Sequence, residues 1–512
     1  METITPTIPR SELANLEMQK VGGRKASAVF GMAWFFANTL VGRALSLATQ
    51  FVLGWLLLPS EFGIYAFALS ISTAIGAIRN GGVSQLLIQQ GDRYSERAGV
   101  MTLYALAFNT LAMVILCAVA PLTDSLIDST ELPWMLACIG FSFPLGTLGA
   151  IFRSKLSIDR RFRSLAGLNT TSALVWQSSA VSLAFLGFGA FSFVLPLLIQ
   201  AVYESVAGWL MVKETPRVWH TIEGFSVKRL VQETSWIMGS AAVLSLAVTG
   251  DYFVVGLLRE KEVVGTYFFA FQMVVTCAQL FTNGVETVFP SLLRSLNHDP
   301  TKQKEAFFKS LHTLMLTTTS VSVLLSFSVS LFIHFLWSGK WDSAVQATQM
   351  LAFSIPAWVV VSLVRALLEA QGLWRKRFLL LAAYGAGGIT AAGLGAWMGG
   401  ATDIALTVAA YYVLFSIGLI LAMPRMLDLP LTALSSAVFG PIVLNIACAM
   451  AGMFLIEFLR YDFAGPMNTL LTTAVFMTLI VAGNVSLYHT EWRDVLSVMR
   501  KSFHARLAEK TP

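Results

Sequence analysis

Long apolar stretches separated by short polar breaks run along the whole chain. Fourteen such stretches are present, at about 30–58, 62–90, 98–120, 133–152, 165–185, 190–212, 236–258, 264–293, 311–337, 344–370, 378–398, 404–423, 437–459 and 468–488. An α-helix needs roughly 20 apolar residues to cross the hydrocarbon core of a bilayer. The pattern therefore predicts an all-α polytopic membrane protein with about 14 transmembrane helices. The long first, second, eighth and tenth stretches are candidates for tilted or broken helices.

The composition agrees with a membrane-embedded chain. Hydrophobic residues make up 56% of the 512 residues and charged residues only 12%, whereas roughly 25% are charged in an ordinary soluble domain. Residues 1–25 carry several charges and contain neither a short apolar core nor a small-residue cleavage site, so they do not resemble a cleavable signal. We expect the first span to act as its own insertion signal.

The distribution of Lys and Arg predicts the orientation, because cytoplasmic loops of membrane proteins hold the excess of basic residues. With the N-terminus inside, 28 of the 35 basic residues fall on cytoplasmic segments and four on the opposite side. Both termini are therefore predicted to be cytoplasmic. The net charge of +6 is explained by a cytoplasmic face that meets anionic membrane lipid, so no nucleic-acid partner is expected.

A weak internal repeat suggests two related halves. Shifted by 202 positions, GIYAFALSISTAIGAIRNGGV falls on GTYFFAFQMVVTCAQLFTNGV, with six of 21 positions identical. This superposes the second span on the eighth, as expected for two six-helix bundles of parallel topology. The predicted division is a tail at 1–29, a bundle at 30–212, a linker at 213–235, a bundle at 236–423, two additional helices at 424–488 and a tail at 489–512.

Three arginines lie within the predicted spans, namely Arg43, Arg79 and Arg365, and Asn80 follows the second of them. An arginine at mid-bilayer costs about 2.5–3.5 kcal/mol on insertion scales, and such residues usually face a wet cavity or a partner. On a continuous helix Arg79 lies roughly 18 Å from the cytoplasmic end, too far to snorkel. Guanidinium binds phosphate oxygens with a permanent charge and a two-pronged geometry. These four residues are the candidate substrate-binding residues.

Each candidate also has a purely structural interpretation. Arg43 and Arg79 could pair with Asp251, Glu286 or Glu204 and hold the bundle together. Arg365 and Glu369 are four residues apart and could pair on one helix face. Asp251 and Glu286 could instead bind a coupling proton or cation. The basic loop Arg153 to Arg163 is explained most simply by orientation, with phosphate recognition as the alternative.

Several stretches resemble a known family. The pattern LLLPSEFGIYAFALSI, then GGVSQLLIQ, and the basic loop FRSKLSIDRRFRSLA are similar to the Wzx-type polysaccharide flippases. GDYFVVGLLREKEVVGTYFFA resembles that family's second-half signature, with Asp251 where such proteins often carry Asp. These flippases belong to the multidrug, oligosaccharidyl-lipid and polysaccharide exporter superfamily. One departure is RNGG at 79–82, where relatives commonly have an acidic residue before a glycine.

The resemblance implies flipping of an undecaprenyl-diphosphate-linked oligosaccharide across the bacterial inner membrane, for exopolysaccharide, capsule or O-antigen synthesis. It also implies contact with the polymerase and export machinery of the same pathway. The alternatives are a lipid II flippase or a drug exporter of the same superfamily, and a polytopic glycosyltransferase, acyltransferase or polymerase. An enzyme would need a catalytic cluster in a substantial loop, and the outward loops reach only about a dozen residues, so no enzymatic activity is predicted.

Neither a cofactor nor a metal is expected. The chain contains no GxxxxGK[ST] motif for nucleotide phosphates. Its four cysteines lie singly in apolar segments, and its six histidines are scattered.

Overall fold

The computed structural model describes residues 42, 45–76, 78–89, 94–123, 129–213, 227–296, 298–427, 431–458 and 466–487. Within these residues the chain is built from helices, and no strand occurs. The helices are α1 (Leu45–Leu56), α2 (Pro59–Gly76), α3 (Val83–Gln89), α4 (Tyr94–Val119), α5 (Leu132–Leu145), α6 (Thr147–Ile158), α7 (Phe162–Phe185), α8 (Phe191–Val212), α9 (Val227–Leu258), α10 (Lys261–Ser295), α11 (Pro300–Trp337), α12 (Val345–Ala352), α13 (Ile355–Ala370), α14 (Trp374–Met398), α15 (Ala401–Leu427), α16 (Leu431–Phe458) and α17 (Pro466–Leu487).

The prediction of an all-α polytopic membrane protein is confirmed. Among the described residues, eight helices are long and apolar enough to cross a membrane, and two bent helix pairs raise that number to ten. A helix or a helix pair overlaps each of the fourteen predicted apolar stretches. The exact number of crossings stays a prediction, as does the division into bundles. Helix α9 begins at Val227, inside the stretch predicted as a linker.

Three of the predicted apolar stretches are interrupted by a turn or a bend. The second stretch divides into α2 and α3 at a 3₁₀ turn, Arg79–Gly82, where Gly82 has a φ of +69°. Glycine adopts this left-handed conformation without a steric penalty, which explains why the chain can change direction at Gly82, just before α3 begins. The tenth stretch bends by 45° between α12 and α13. The fourth bends by 44° between α5 and α6, a break the sequence analysis did not predict, next to Pro144 and Gly146.

The closest backbone approach between the two halves is the crossing of α2 with α10. A Cβ atom added at Gly63 would lie 1.8 Å from the carbonyl oxygen of Lys261, and one added at Gly265 would lie 1.7 Å from that of Pro59. The 202-residue shift aligns these two glycines with each other, and they face one another across the crossing. Only hydrogen side chains permit helices to pack this closely.

Aromatic side chains fill the space beside this crossing. Phe62 on α2 packs edge-on against Phe269 and Trp341, with ring centroids 5.9 and 5.0 Å apart. The indole of Trp341 donates a 2.8 Å hydrogen bond to the backbone carbonyl of Gly54 on α1, which ties the loop after α11 to the first helix. The N-terminal end of α2, where it crosses α10, is therefore apolar and closely packed.

The last two helices pack against α11 and against each other. Asn445 on α16 is the centre of a buried polar network: its amide donates to Thr319 at 2.9 Å, and its amide oxygen accepts from Ser320 and Asn484. This network connects α16 and α17 to the second half of the chain.

Candidate substrate site

Arg79 lies at the break between α2 and α3, in the 3₁₀ turn that also contains Asn80. Its side chain is solvent-exposed, and its guanidinium carbon is 5.4 Å from the ring centroid of Phe143 on α5. Non-helical backbone within a bilayer is tolerated only where it is buried in protein or lines a water-filled space. The exposed arginine at this helix break is therefore a candidate for contact with water or with a polar ligand.

The charged groups that act electrostatically on Arg79 are Arg153 on α6 and Glu204 on α8. Arg153 pairs with Glu204 through both of its terminal nitrogens, at 2.7 and 3.2 Å. Glu204 is buried, and it also accepts hydrogen bonds from Ser172 and from Gln200. One carboxylate therefore acts on two arginines, which leaves an excess of positive charge in this cluster. We call Arg79, Arg153 and Glu204 the arginine cluster.

The carboxylates considered as partners for Arg79 are all engaged by other groups. Glu204 pairs with Arg153, and Glu286 on α10 pairs with Arg365. Asp251 accepts a 2.9 Å hydrogen bond from the hydroxyl of Tyr267. Among the residues that the structure describes, none offers Arg79 a carboxylate within ion-pair distance. Arg43 lies outside the described residues.

Arg365 has a different environment from Arg79. It lies on α13 and forms an ion pair with Glu286, which also accepts a 3.2 Å hydrogen bond from Ser362. The suggested pairing of Arg365 with Glu369 is wrong, because Glu369 faces Arg377 at 3.5 Å. Arg365 thus pairs with a residue of another helix and not with the residue four positions away on its own helix. Arg365 is thereby neutralised within the protein.

Asp251 is a buried carboxylate on α9. Its Oδ2 atom accepts the Tyr267 hydrogen bond, and its Oδ1 atom is buried with no hydrogen-bond partner in the described part of the chain. The residues described around it include no basic side chain within ion-pair distance. Among the described residues, the second half therefore holds a carboxylate without a cation, while the first half holds an arginine without a carboxylate. Across the described ranges, no group of His, Cys, Asp and Glu is arranged to hold a metal ion.

Arg153 was predicted to lie in a cytoplasmic loop, with phosphate recognition as the alternative interpretation, whereas the structure places it within α6, the second segment of a bent pair. Pro144 and Gly146, two residues apart within an apolar stretch, were the available signal for that bend. The depth estimate for Arg79 fails for a separate reason. The 18 Å derived for Arg79 assumed one continuous helix, which the turn at Arg79–Gly82 interrupts.

Comparison with known proteins identifies the family. The model of a family described as "Polysaccharide biosynthesis protein" matches residues 52–346, more than half of the chain. The chain belongs to the polysaccharide biosynthesis protein family. Among curated proteins, the succinoglycan biosynthesis transport protein ExoT of Rhizobium meliloti (strain 1021) is 24% identical over 288 residues, which cover 55% of each chain. The match thus spans only about half the length of that relative.

Solved structures with this fold include other transport proteins. The lipid II flippase MurJ in an inward closed conformation has a TM-score of 0.68 at 15% identity, covering 91% of this chain and 100% of that chain. An inward-facing multidrug resistance MATE transporter of the MOP superfamily has a TM-score of 0.57 at 14% identity, covering 77% and 96% respectively. The family member described here shares the fold of this superfamily, and its relatives are transporters rather than enzymes.

Proposed function

We propose that this protein flips an undecaprenyl-diphosphate-linked oligosaccharide from the cytoplasmic to the periplasmic leaflet of the bacterial inner membrane. The observation that carries the proposal is Arg79, an exposed arginine at a helix break, with no carboxylate partner among the described residues. A permanent cation held there suits the pyrophosphate of a lipid-linked sugar, because charge-assisted bonds to phosphate are strong in such an environment. The name of the succinoglycan transport relative supports the same substrate class.

The packing of α2 against α10 supports an alternating-access mechanism. The first residues of both helices lie on the side that the basic residues predict to be periplasmic, and there the backbones touch at Gly63 and Gly265. This contact closes the space between the two halves at that end. We infer that the headgroup enters from the cytoplasmic side and leaves after α2 and α10 separate.

Asp251 is our candidate for energy coupling. Protonation or cation binding at this carboxylate would satisfy the Oδ1 atom that has no partner among the described residues. Replacing Asp251 with Asn keeps the shape and removes the charge. We expect transport by Asp251→Asn in proteoliposomes to lose its dependence on an imposed proton or sodium gradient. A variant that retains the full gradient dependence contradicts this assignment.

The proposed orientation is tested by fusions to a reporter that is active only in the periplasm. A fusion after Ser129 should be active and a fusion after Arg161 silent, because these positions lie on opposite sides of the predicted topology. The reverse result would overturn the orientation.

Depletion of the protein in its native cell tests the transported substrate. Undecaprenyl-diphosphate-linked saccharides should accumulate and surface polysaccharide should fall, both measured by mass spectrometry and sugar analysis. Accumulation of lipid II instead would assign the protein to cell-wall synthesis. Unchanged levels of all lipid-linked saccharides would reject the proposal.

A further inference from the structure

A cavity lies beside the arginine cluster and has a different chemistry. Its volume is about 500 Å³, and it is lined by residues of α1, α2, α7, α8 and α10. Volumes of roughly 300–1,000 Å³ are typical of small-molecule sites, so this space can hold a short stretch of sugar rings. None of its lining residues is charged. We call it the amide chamber.

Glutamines are the most frequent polar residues of its wall, and they come from four different helices. They are Gln50, Gln177, Gln200, Gln272 and Gln279. Each primary amide offers two N–H donors and one carbonyl acceptor, a combination that matches sugar hydroxyl groups, which both donate and accept. A carboxylate or an ammonium in the same place would favour a charged ligand. The lining is therefore suited to neutral polar groups.

Three polar atoms in this wall are buried without a partner among the described residues: Gln50 Nε2, Trp176 Nε1 and Gln177 Oε1. Gln177 is only 8% exposed, and its amide nitrogen donates a 3.1 Å hydrogen bond to Ser46, which fixes the direction of the amide. A buried polar group left without a hydrogen bond is destabilising. Two donors and one acceptor in one wall point to a ligand that supplies complementary hydroxyl groups.

Aromatic rings line the rest of the chamber. Trp176 lies on the wall from α7, and Tyr65 stacks on Phe193 with ring centroids 4.3 Å apart. Flat apolar rings next to fixed polar groups suit a sugar, which has C–H faces and hydroxyl edges. A purely apolar drug would leave the amides unpaired, and the cost of unpaired amides is the main source of discrimination in such sites.

The chamber is connected to the arginine cluster by Gln200. This residue lines the chamber, and its amide donates to Glu204 at 3.0 Å, the carboxylate that pairs with Arg153. Gln200 and Glu204 thus link the amide chamber to Arg153. A neutral compartment therefore lies next to a cationic one. A lipid-linked oligosaccharide has the same order, with sugar rings adjoining the diphosphate.

We infer that the amide chamber binds the sugar rings next to the diphosphate and that these rings are uncharged. This inference rests on the proposed function, since it assigns the sugar of the same substrate. It predicts two separable parts of the binding energy. Sugar recognition depends on the chamber, and diphosphate recognition depends on Arg79.

The test uses two ligands and the purified full-length protein in detergent. One ligand is farnesyl diphosphate, which carries no sugar, and the other is the lipid-linked saccharide isolated from depleted cells. Gln177→Leu and Trp176→Phe should each weaken binding of the saccharide lipid about five- to tenfold, the effect of losing one or two neutral hydrogen bonds, and leave farnesyl diphosphate unchanged. Trp176→Phe keeps an aromatic ring in place and removes the N–H donor together with part of the indole, so it is a smaller change than Trp176→Leu.

The matched control is Gln232→Leu, which replaces an exposed glutamine on α9 outside the chamber. This variant should bind both ligands as the parent protein does. Unchanged binding of the saccharide lipid by both chamber variants overturns the inference. Equal loss for both ligands also overturns it, because the residues would then act on the fold. A uronic acid or another charged sugar next to the diphosphate contradicts the neutral assignment. Depleted cells that accumulate no lipid-linked saccharide reject the proposed function itself.

Discussion

Arg79 and Arg365 are both intramembrane arginines of one chain, and their surroundings differ. Arg365 in the second half is neutralised by Glu286 on a neighbouring helix, whereas Arg79 in the first half is solvent-exposed and lies over an aromatic ring. Position within an apolar stretch does not distinguish these two roles. The neighbours that the fold supplies decide whether an intramembrane arginine is used for packing or remains available to a ligand.

Arg79 should give the largest effect on transport. Arg79→Ala removes a charge-assisted contact worth about 1.5–3 kcal/mol, which corresponds to at least a tenfold loss of substrate affinity. Export of surface polysaccharide should fall accordingly at normal membrane abundance, measured by immunoblot and sugar analysis. Arg79→Lys should retain part of the activity, because the charge remains while the two-pronged geometry is lost.

The structural alternative for Arg79 makes the opposite prediction. If this arginine only neutralised a carboxylate, Arg79→Ala would lower the abundance of the protein, and a second change at Asp251 or Glu286 would restore export. Full export by the Arg79→Ala variant at matched protein level would show that Arg79, like Arg365, is not a substrate-binding residue.

The crossing of α2 and α10 at Gly63 and Gly265, called here the glycine crossing, gives a contrast to the two arginines, because at this contact the two halves of the chain should behave alike. Gly63→Ala and Gly265→Ala each place a methyl group within 2 Å of a backbone carbonyl of the opposite helix. Both variants should push the first turns of α2 and α10 apart and reduce transport severalfold. Spin labels on cysteines at Ser60 and Lys261, in a chain without its native cysteines, should report a longer distance.

Gly418→Ala on α15 is the control for the glycine crossing, since a Cβ atom there would meet nothing within 4 Å. It should leave the distance between the labels and the transport rate unchanged. Opposite effects of Gly63→Ala and Gly265→Ala would show that the crossing is not a symmetric contact.

The ion pair of Arg365 with Glu286 should give the smallest effect, and on stability rather than on substrate binding. Glu286 is about half exposed, so we expect a loss of about 1–2 kcal/mol, between the values for exposed and buried pairs. Arg365→Ala should lower the thermal unfolding midpoint in detergent and leave farnesyl diphosphate binding unchanged. The exchanged pair, Arg365→Glu with Glu286→Arg, should recover most of the midpoint. A loss of ligand binding in Arg365→Ala at an unchanged midpoint would instead make Arg365 a binding residue.

The sequence predicted the helices well, because a continuous apolar run leaves the backbone in lipid no alternative to helical hydrogen bonding. It predicted the aligned glycines Gly63 and Gly265 through the repeat. It did not predict the Arg365–Glu286 pair, whose members are 79 positions apart on different helices. The chamber glutamines were missed for the same reason. Periodicity relates residues on one helix face, while a cavity wall is assembled from single residues of several helices.

The polar network around Asn445 bears on how the chain is made in the cell. Helix α11 is synthesised more than a hundred residues before α16, so its polar side chains meet lipid before their later partners exist. Thr319 and Ser320 do not need those later partners at this stage, because their hydroxyl groups donate to the carbonyls of Met315 and Leu316 in the preceding turn of the same helix. Asn445 likewise donates to the carbonyl of Pro441 in its own helix. Each helix can therefore enter the membrane with these donors already bonded within the helix, and the arrival of α16 and α17 supplies partners for the amide oxygen of Asn445.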